Sequence, residues 1–460
     1  MSVTCGLEFG GETLRLRLPD GAELLSLPED SPLACPVAAI RASLRKPIGA
    51  PPLAEIVRAK RRSAPHLTAA VVVSDNTRPV PYRGKSGILE PVLEVLRAER
   101  VERIEILVAT GTHRPLSDAE LRKLLPDSVF GGDISIANHS CTDGGMLRLA
   151  GRTARGTEAW INRRYLDADL KILTGLVEPH FMAGASGGPK SICPGLAGEA
   201  LTRVFHGAEL LADERSASLV LDGNPCHEES MAVARMAGAD FIVNVTLDGA
   251  RRVTGVFSGE LRAAHRAAVE RLLAKAGIPI AREYDLVVTH AGFVGLNHYQ
   301  AAKAAVEGVK AVRSGGTLVL AAHHTDADPV GSANYRRALE LLRRLGADGF
   351  MRRILAPEWQ FLPEQWEAQM WARALKKLAA PENLVYCCPQ LTGSAFADAA
   401  IPGADGGAGL KGLAGRDLAE AMVQRAVERF AAAHPGAGIA VLLDGPYGVP
   451  LLEGRAPGAG

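Results

Sequence analysis

Apolar runs of strand length alternate with amphipathic stretches of helix length along most of this chain. Near the N-terminus, Leu14-Arg15-Leu16-Arg17-Leu18 alternates at period two, which predicts an antiparallel lead-in within the first ~50 residues. The pattern then changes. Residues 67–73 are an apolar, β-branched run, and 104–109, 133–137 and 170–175 are further strand-length stretches; all four predict buried strands. Between them, 87–100, 117–125 and 157–166 carry helical spacing, and Ser117 is a helix N-cap candidate. Buried strands separated by helices indicate a mostly parallel sheet covered on both faces.

The same rhythm restarts near residue 280, with strands predicted at 286–289, 317–321, 384–387 and 439–443. Helices are predicted at 300–312, 335–345, 364–378 and 417–432. The helix 260–276 runs into Gly277-Ile278-Pro279, a natural boundary. The expectation is an α/β protein of two domains, 1–277 and 278–460, each with a mostly parallel sheet flanked by helices and with an active site in the cleft between them. The stretch 402–415 reads as a loop and the tail 453–460 as frayed.

Composition narrows the possible functions. The chain has 460 residues and a formal net charge of +1, so nothing predicts an electrostatic grip on nucleic acid or acidic membranes. The seven cysteines include no Cys-x-x-Cys pair, which argues against a zinc ribbon. No apolar run reaches membrane-spanning length, and no charged-plus-apolar signal opens the chain. The expected compartment is the cytoplasm, with reduced thiols.

Polar chemistry gathers where predicted strands end. Residues 67–73 lead into Ser74-Asp75-Asn76-Thr77-Arg78-Pro79, and 104–109 into Thr110-Gly111-Thr112-His113. Residues 170–175 lead toward Glu178-Pro179-His180. Parallel strands would place these ends on one sheet edge, where open α/β sheets bind ligands. Asp75 and Arg78 suit a turn or an anion clamp. His113 and His180 suit proton transfer near neutral pH.

After His180 comes a glycine loop around Lys190, then Phe205-His206-Gly207. The loop Gly184-Ala185-Ser186-Gly187-Gly188-Pro189-Lys190-Ser191 is close to a phosphate-binding Walker loop. Pro189 stands where that loop needs an N–H donor, and Pro194 interrupts the helix that should follow. A nucleotide- or phosphate-handling enzyme built on 184–191, or a non-catalytic hydroxy acid or nucleotide binder, remains the alternative reading. In the second half, Gln300 and Lys303 share a helix face next to Tyr299. Trp366 opens another helix, and His298, His323 and His324 lie near strand ends.

Together these motifs resemble the nickel-dependent lactate racemase family, whose members racemise or epimerise 2-hydroxy acids. The marks are Ser74–Pro79, Ala109–Pro115, Glu178–His180, Gly187–Gly195, Phe205–Gly207 and Tyr299–Lys303. The resemblance implies a nickel-pincer nucleotide, a pyridinium-3-thioamide-5-thiocarboxylate mononucleotide, tethered or held at Lys190, with His206 as the protein's nickel ligand. It implies His113 and His180 as the acid/base pair. Arg78, Tyr299, Gln300, Lys303 and Trp366 would bind substrate. Asp75 and the backbone of Thr110, Gly111, Thr112, Gly187 and Gly188 would line the cofactor. The implied partners are a small 2-hydroxy acid and the enzymes that mature the cofactor. One departure stands out: Ala291-Gly292-Phe293-Val294-Gly295-Leu296-Asn297 replaces the stretch usual before Tyr-Gln, which leaves the substrate open among lactate, larger hydroxy acids and sugar acids.

Overall fold

The computed structural model describes residues 3–64, 66–132 and 134–454. The chain divides into two compact units: Glu29–Ala274, and the N-terminal stretch to Pro28 together with the residues from Lys275 onward.

In the Glu29–Ala274 unit a six-stranded sheet runs in the order Val253–Gly259, Phe241–Leu247, Leu170–Leu176, Thr68–Ser74, Arg103–Ala109, Ile134–Asn138. Every neighbouring pair is parallel except the first, which is antiparallel. The central strand, Thr-Ala-Ala-Val-Val-Val-Ser, is buried along its interior because both sheet faces are covered. Helix Leu89–Ala98 supplies one cover, turning Leu89, Val92, Leu93 and Leu96 into the core at helical spacing. Helix Asp118–Leu124 starts at Ser117, which forms a capping box with Glu120. The ends of the parallel strands, Ser74, Ala109, Asn138, Leu176 and Leu247, therefore share one edge.

One predicted helix is replaced. Residues 157–166 are not a single helix: Glu158–Asn162 is a strand paired antiparallel with Leu147–Arg152, and Arg163–Asp167 is a short helix begun by the Asn162 side chain. Ala159 and Ile161 are buried while Trp160 points outward, a period of two that five residues display only weakly in sequence. Asp133, in the expected strand 133–137, lies outside the described residues, as does the expected frayed tail from 455 on.

The other unit holds a six-stranded, wholly parallel sheet in the order Ala404–Asp405, Leu384–Cys387, Val312–Ala321, Tyr284–His290, Ile439–Leu442, Glu23–Leu25. Its last strand comes from the N-terminus. The expected division 1–277 and 278–460 therefore differs from the structure at the beginning of the chain. The hairpin of Val3–Phe9 and Glu12–Leu18 buries Leu7, Leu14, Leu16 and Leu18 among Val288, Val319, Met422 and Val423. Gln424 fixes its register by accepting from the Arg17 N–H at 2.9 Å and donating to the Arg17 carbonyl at 3.0 Å. Burying each such leucine is worth about 1.5–3 kcal/mol, enough to draw the lead-in across the sequence.

The helix expected over 300–312 spans His298–Gly308; a tight turn follows, and Val312 already belongs to the next strand. The loop expected over 402–415 contains the short edge strand Ala404–Asp405. Among the described residues no helix is long and apolar enough to cross a membrane.

Candidate active site

The shared edge of the Glu29–Ala274 sheet carries most of the expected chemistry. Asp75 follows the central strand and is 3% exposed. Its Oδ2 accepts from His113 Nδ1 at 2.6 Å, and its Oδ1 accepts from the Thr77 N–H and hydroxyl at 3.1 and 2.5 Å. Burial alone would raise the Asp75 pKa, but the His113 and Thr77 bonds outweigh it and hold the carboxylate below its ordinary value. A carboxylate can only accept, so Nδ1 of His113 carries a proton, and in the neutral ring Nε2 keeps the lone pair. The His113 side chain is 57% exposed, and that lone pair makes it a base.

His180 is held differently. Its Nδ1 accepts backbone N–H groups from Met182 at 3.3 Å and Ala183 at 3.2 Å. Its Nε2 meets Lys190 Nζ at 2.8 Å, and an ammonium can only donate, so donors face the ring on both sides. Arg78 is paired with Glu178, the residue two before His180. Glu178 steers the guanidinium while leaving further N–H donors on it.

The loop carrying Lys190 is held from behind. Asn244, buried in the Phe241–Leu247 strand, accepts from Gly188 N–H at 3.0 Å. His265 Nε2 donates to the Ser186 carbonyl at 2.9 Å, and Ser186 Oγ donates to the Leu176 carbonyl at 2.8 Å. A side chain at Gly187 would meet Val177 at 2.8 Å, and one at Gly188 would meet the His265 ring at 2.5 Å; both positions have positive φ. These glycines are demanded by packing against the fold, whatever their backbone also does for a ligand. Gly188–Ser191 is a 3-10 turn rather than the α-helix start that a Walker loop requires.

Gly111 N–H donates to the Gly195 carbonyl at 3.0 Å, tying the His113 loop to the Lys190 loop. The Thr110 hydroxyl donates to the His139 carbonyl at 2.8 Å, its N–H to the Val108 carbonyl at 3.0 Å, and its carbonyl accepts from the His113 N–H at 2.9 Å, so this expected cofactor contact is committed to the fold, while Thr112 is exposed. Asn244, His265, Ser186 and Glu178 are supports that sequence reasoning did not assign.

His206 ends helix Glu199–Phe205. Lys190 Nζ lies 5.3 Å from the centre of the neighbouring Phe205 ring. Burial first, then the charges of Lys190 and His113, push the His206 pKa down to about 3. Its imidazole is therefore neutral, the form that binds a metal. Among the described residues there is no group of three or more His, Cys, Asp or Glu that could hold a metal ion. His206 can serve only a metal that brings its other donors with it. A pincer complex of two sulfur arms does so, and an imidazole beside an amine fits that group.

In the other unit Tyr299, Gln300 and Lys303 open helix His298–Gly308, whose N-cap is Asn297. Trp366 Nε1 donates to Tyr299 Oη at 2.8 Å, and Lys303 Nζ donates to Gln300 Oε1 at 2.7 Å. All four expected substrate-binding groups of this unit are thus joined pairwise. Glu367, next to Trp366, is buried and its pKa is raised by that burial, with Lys303 pulling the other way. His298 and His324 are not available to a substrate. His298 is wholly buried, bonded to Tyr335 Oη at 2.8 Å and stacked on Trp371. His324 donates to the Gly295 carbonyl at 2.7 Å and accepts from Tyr386 Oη at 2.8 Å.

The pattern of the lactate racemase N-terminal domain family matches residues 9–218. The lactate racemase of Lactiplantibacillus plantarum is 32% identical over 340 residues, covering 73% of this chain and 77% of that one. The lactate racemase of Thermoanaerobacterium thermosaccharolyticum is 30% identical over 341 residues, covering 73% and 76%. Among solved structures, the lactate racemase apoprotein of T. thermosaccharolyticum matches with a TM-score of 0.81 and 24% identity over 98% of this chain and 100% of that chain. A Thermotoga maritima protein matches with a TM-score of 0.60 and 17% identity, over 88% and 100%. The structural likeness carries the fold, an α/β arrangement of parallel-rich sheets flanked by helices, and the sequence likeness carries more. This chain belongs to the lactate racemase family and is an isomerase of the racemase kind.

Proposed function

We propose that this isomerase inverts C2 of a 2-hydroxy acid by way of the planar 2-keto acid, with a nickel-pincer nucleotide held at Lys190 and His206. The observation that carries the reading is that His113 and His180 stand at one sheet edge, each with one ring nitrogen oriented by the chain. When bound, the nucleotide supplies an acceptor and donor of hydride for C2.

The chain's own residues handle the protons and the carboxylate. His113 Nε2 takes the hydroxyl proton of one stereoisomer as the carbonyl forms. His180, as the imidazolium, returns a proton to the oxygen when C2 is rebuilt with the other hand. The roles exchange for the opposite stereoisomer, so each ring must pass through both protonation states. Asp75 stabilises the charged His113 ring, and Lys190 lies on the proton line of His180. Arg78 and Lys303 are assigned to the carboxylate, with Tyr299, Gln300 and Trp366 beside it.

Substrate choice turns on the loop before Tyr299, where Phe293 is 46% and Leu296 41% exposed. Larger 2-hydroxy acids, sugar acids included, therefore belong in the test beside lactate. The chain is to be produced together with cofactor-maturation enzymes, then analysed by intact mass and metal content. It is then screened for C2 deuterium exchange. Nickel, a bound nucleotide and exchange at C2 are expected. Protein with neither nickel nor nucleotide after that treatment sinks the proposal.

A further inference from the structure

A second polar concavity lies in the Glu29–Ala274 unit, between helices Pro225–Ala237 and Leu261–Ala276. Its volume is about 170 Å³, many times what one water needs. Three guanidiniums line it: Arg235 from the first helix, and Arg262 and Arg266, one turn apart, from the second. Two carboxylates line it as well, and both are committed. Asp222 grips Arg266 through both oxygens, and Glu228 accepts from the Gly223 N–H at 3.1 Å. Arg235 and Arg262 make no hydrogen bond or ion pair among the described residues.

The base of the cavity is a histidine pair. His227 stacks on His265 with ring centres 5.7 Å apart and planes 13° from parallel. His227 is 9% exposed and its ring has no hydrogen-bond partner among the described residues. Burial first, then neighbouring positive charge, pushes His227 down to about 3 and His265 to about 4. Both rings are neutral, so His227 retains one N–H to donate. His265 reaches the other way. Its Nε2 donates to the Ser186 carbonyl, and its ring leaves no room for a side chain on Gly188. The same histidine therefore lines the cavity and braces the Lys190 loop.

We propose that this cavity binds a phosphate-bearing small molecule on Arg235, Arg262 and His227, and that occupancy steadies the Lys190 loop through His265. The chemistry selects the class. Three guanidiniums repel a cation. Two unpartnered forks and an imidazole N–H match the oxygens of a tetrahedral anion, which offers more acceptors than a carboxylate. The room left beyond the anion accommodates a small organic part. This inference is independent of what the chain does to a hydroxy acid.

The test is calorimetric titration of the full chain with inorganic phosphate, ribose 5-phosphate and acetate at constant ionic strength. Saturable binding of the phosphate compounds is expected, with acetate at least tenfold weaker. Binding of ribose 5-phosphate tighter than that of inorganic phosphate identifies an organic phosphate as the natural class; equal binding identifies the free anion. The paired substitution Arg235→Ala and Arg262→Ala removes exposed side chains and should weaken phosphate at least tenfold. Lysine at both positions should weaken it less, since charge remains and the fork is lost. Hydrogen exchange over residues 184–191 should slow with phosphate in the original chain and not in the alanine pair. Phosphate binding unchanged in the alanine pair, no saturable binding of either phosphate compound, or acetate binding as tight as phosphate overturns the proposal.

Discussion

The two units build similar sheets and use histidine in opposite ways. In Glu29–Ala274, His113 and His180 stand after parallel strands, and each has one ring nitrogen oriented by the chain. The other nitrogen of His113 is left for chemistry, and that of His180 faces a lysine. In the second unit, His298 and His324 also lie near strand ends, but they are buried among Tyr335, Trp371 and Tyr386. Burial keeps His298 far below, and His324 at about 4, the pH range where histidine moves protons. Position at a sheet edge does not make a histidine catalytic. Burial and partners decide whether a ring stays within reach of chemistry.

The largest expected effect breaks this contrast if it is wrong. His113→Ala or His180→Ala should lower racemisation by about 10²- to 10⁴-fold, the usual worth of a positioned acid or base, with little change in unfolding temperature. His298→Ala should do the reverse, lowering the unfolding temperature before it lowers turnover. C2 deuterium exchange and thermal unfolding on the same preparations decide it. A stable, inactive His298→Ala alongside an active His113→Ala would invert the assignment.

Next in size is the attachment of the N-terminal hairpin. Leu16→Ala removes a fully buried side chain from the core of the second unit and should cost about 2–5 kcal/mol. Hydrogen exchange should quicken in Tyr284–His290 and Val312–Ala321 while Thr68–Ser74 keeps its protection. Equal loss in both sheets would mean that the two units unfold as one.

The contrast also explains what the sequence could reveal. Strands such as Thr68–Ser74 are legible because a strand covered on both faces is an unbroken β-branched run. The polar loops after them are legible because glycine, threonine and histidine seldom cluster there by packing alone. Glu158–Asn162 was misread because five residues of alternation followed by a true helical turn mimic one helix. The supports of the Lys190 loop were invisible because they act across sequence. Asn244 reaches Gly188 over 56 positions and His265 reaches Ser186 over 79. The partners that orient His113 and His180 are equally hidden, since one ring is held by a carboxylate 38 positions away and the other by backbone N–H groups.

A smaller effect follows from the buried ring of His265. Its folded pKa, about 4, lies below the unfolded value of roughly 6.5. The unfolded chain therefore binds the proton first as pH falls. The stability that the neutral ring contributes is intact above about pH 6.5 and is lost on the way down to about pH 4. The amount is on the order of 3 kcal/mol. His265→Asn, which can still donate to the Ser186 carbonyl, should flatten the acid limb of a denaturation series between those pH values. An unchanged acid limb would show that the loss arises elsewhere, His227 being the neighbour to test.

The smallest effect sharpens the contrast most finely. Tyr335 Oη is bonded to His298 Nδ1 at 2.8 Å, deep in the second unit. Tyr335→Phe keeps the ring and deletes only the hydroxyl, leaving a buried imidazole nitrogen without that bond. An unmet buried polar group costs about 1–3 kcal/mol. If His298 is a packing residue, the variant loses that much in chemical denaturation, and turnover per folded molecule and its pH profile stay as they were. If His298 takes part in proton transfer, loss of its partner moves the pH profile. Any such movement would place the second unit's histidines in the chemistry and leave burial as no guide to which rings react.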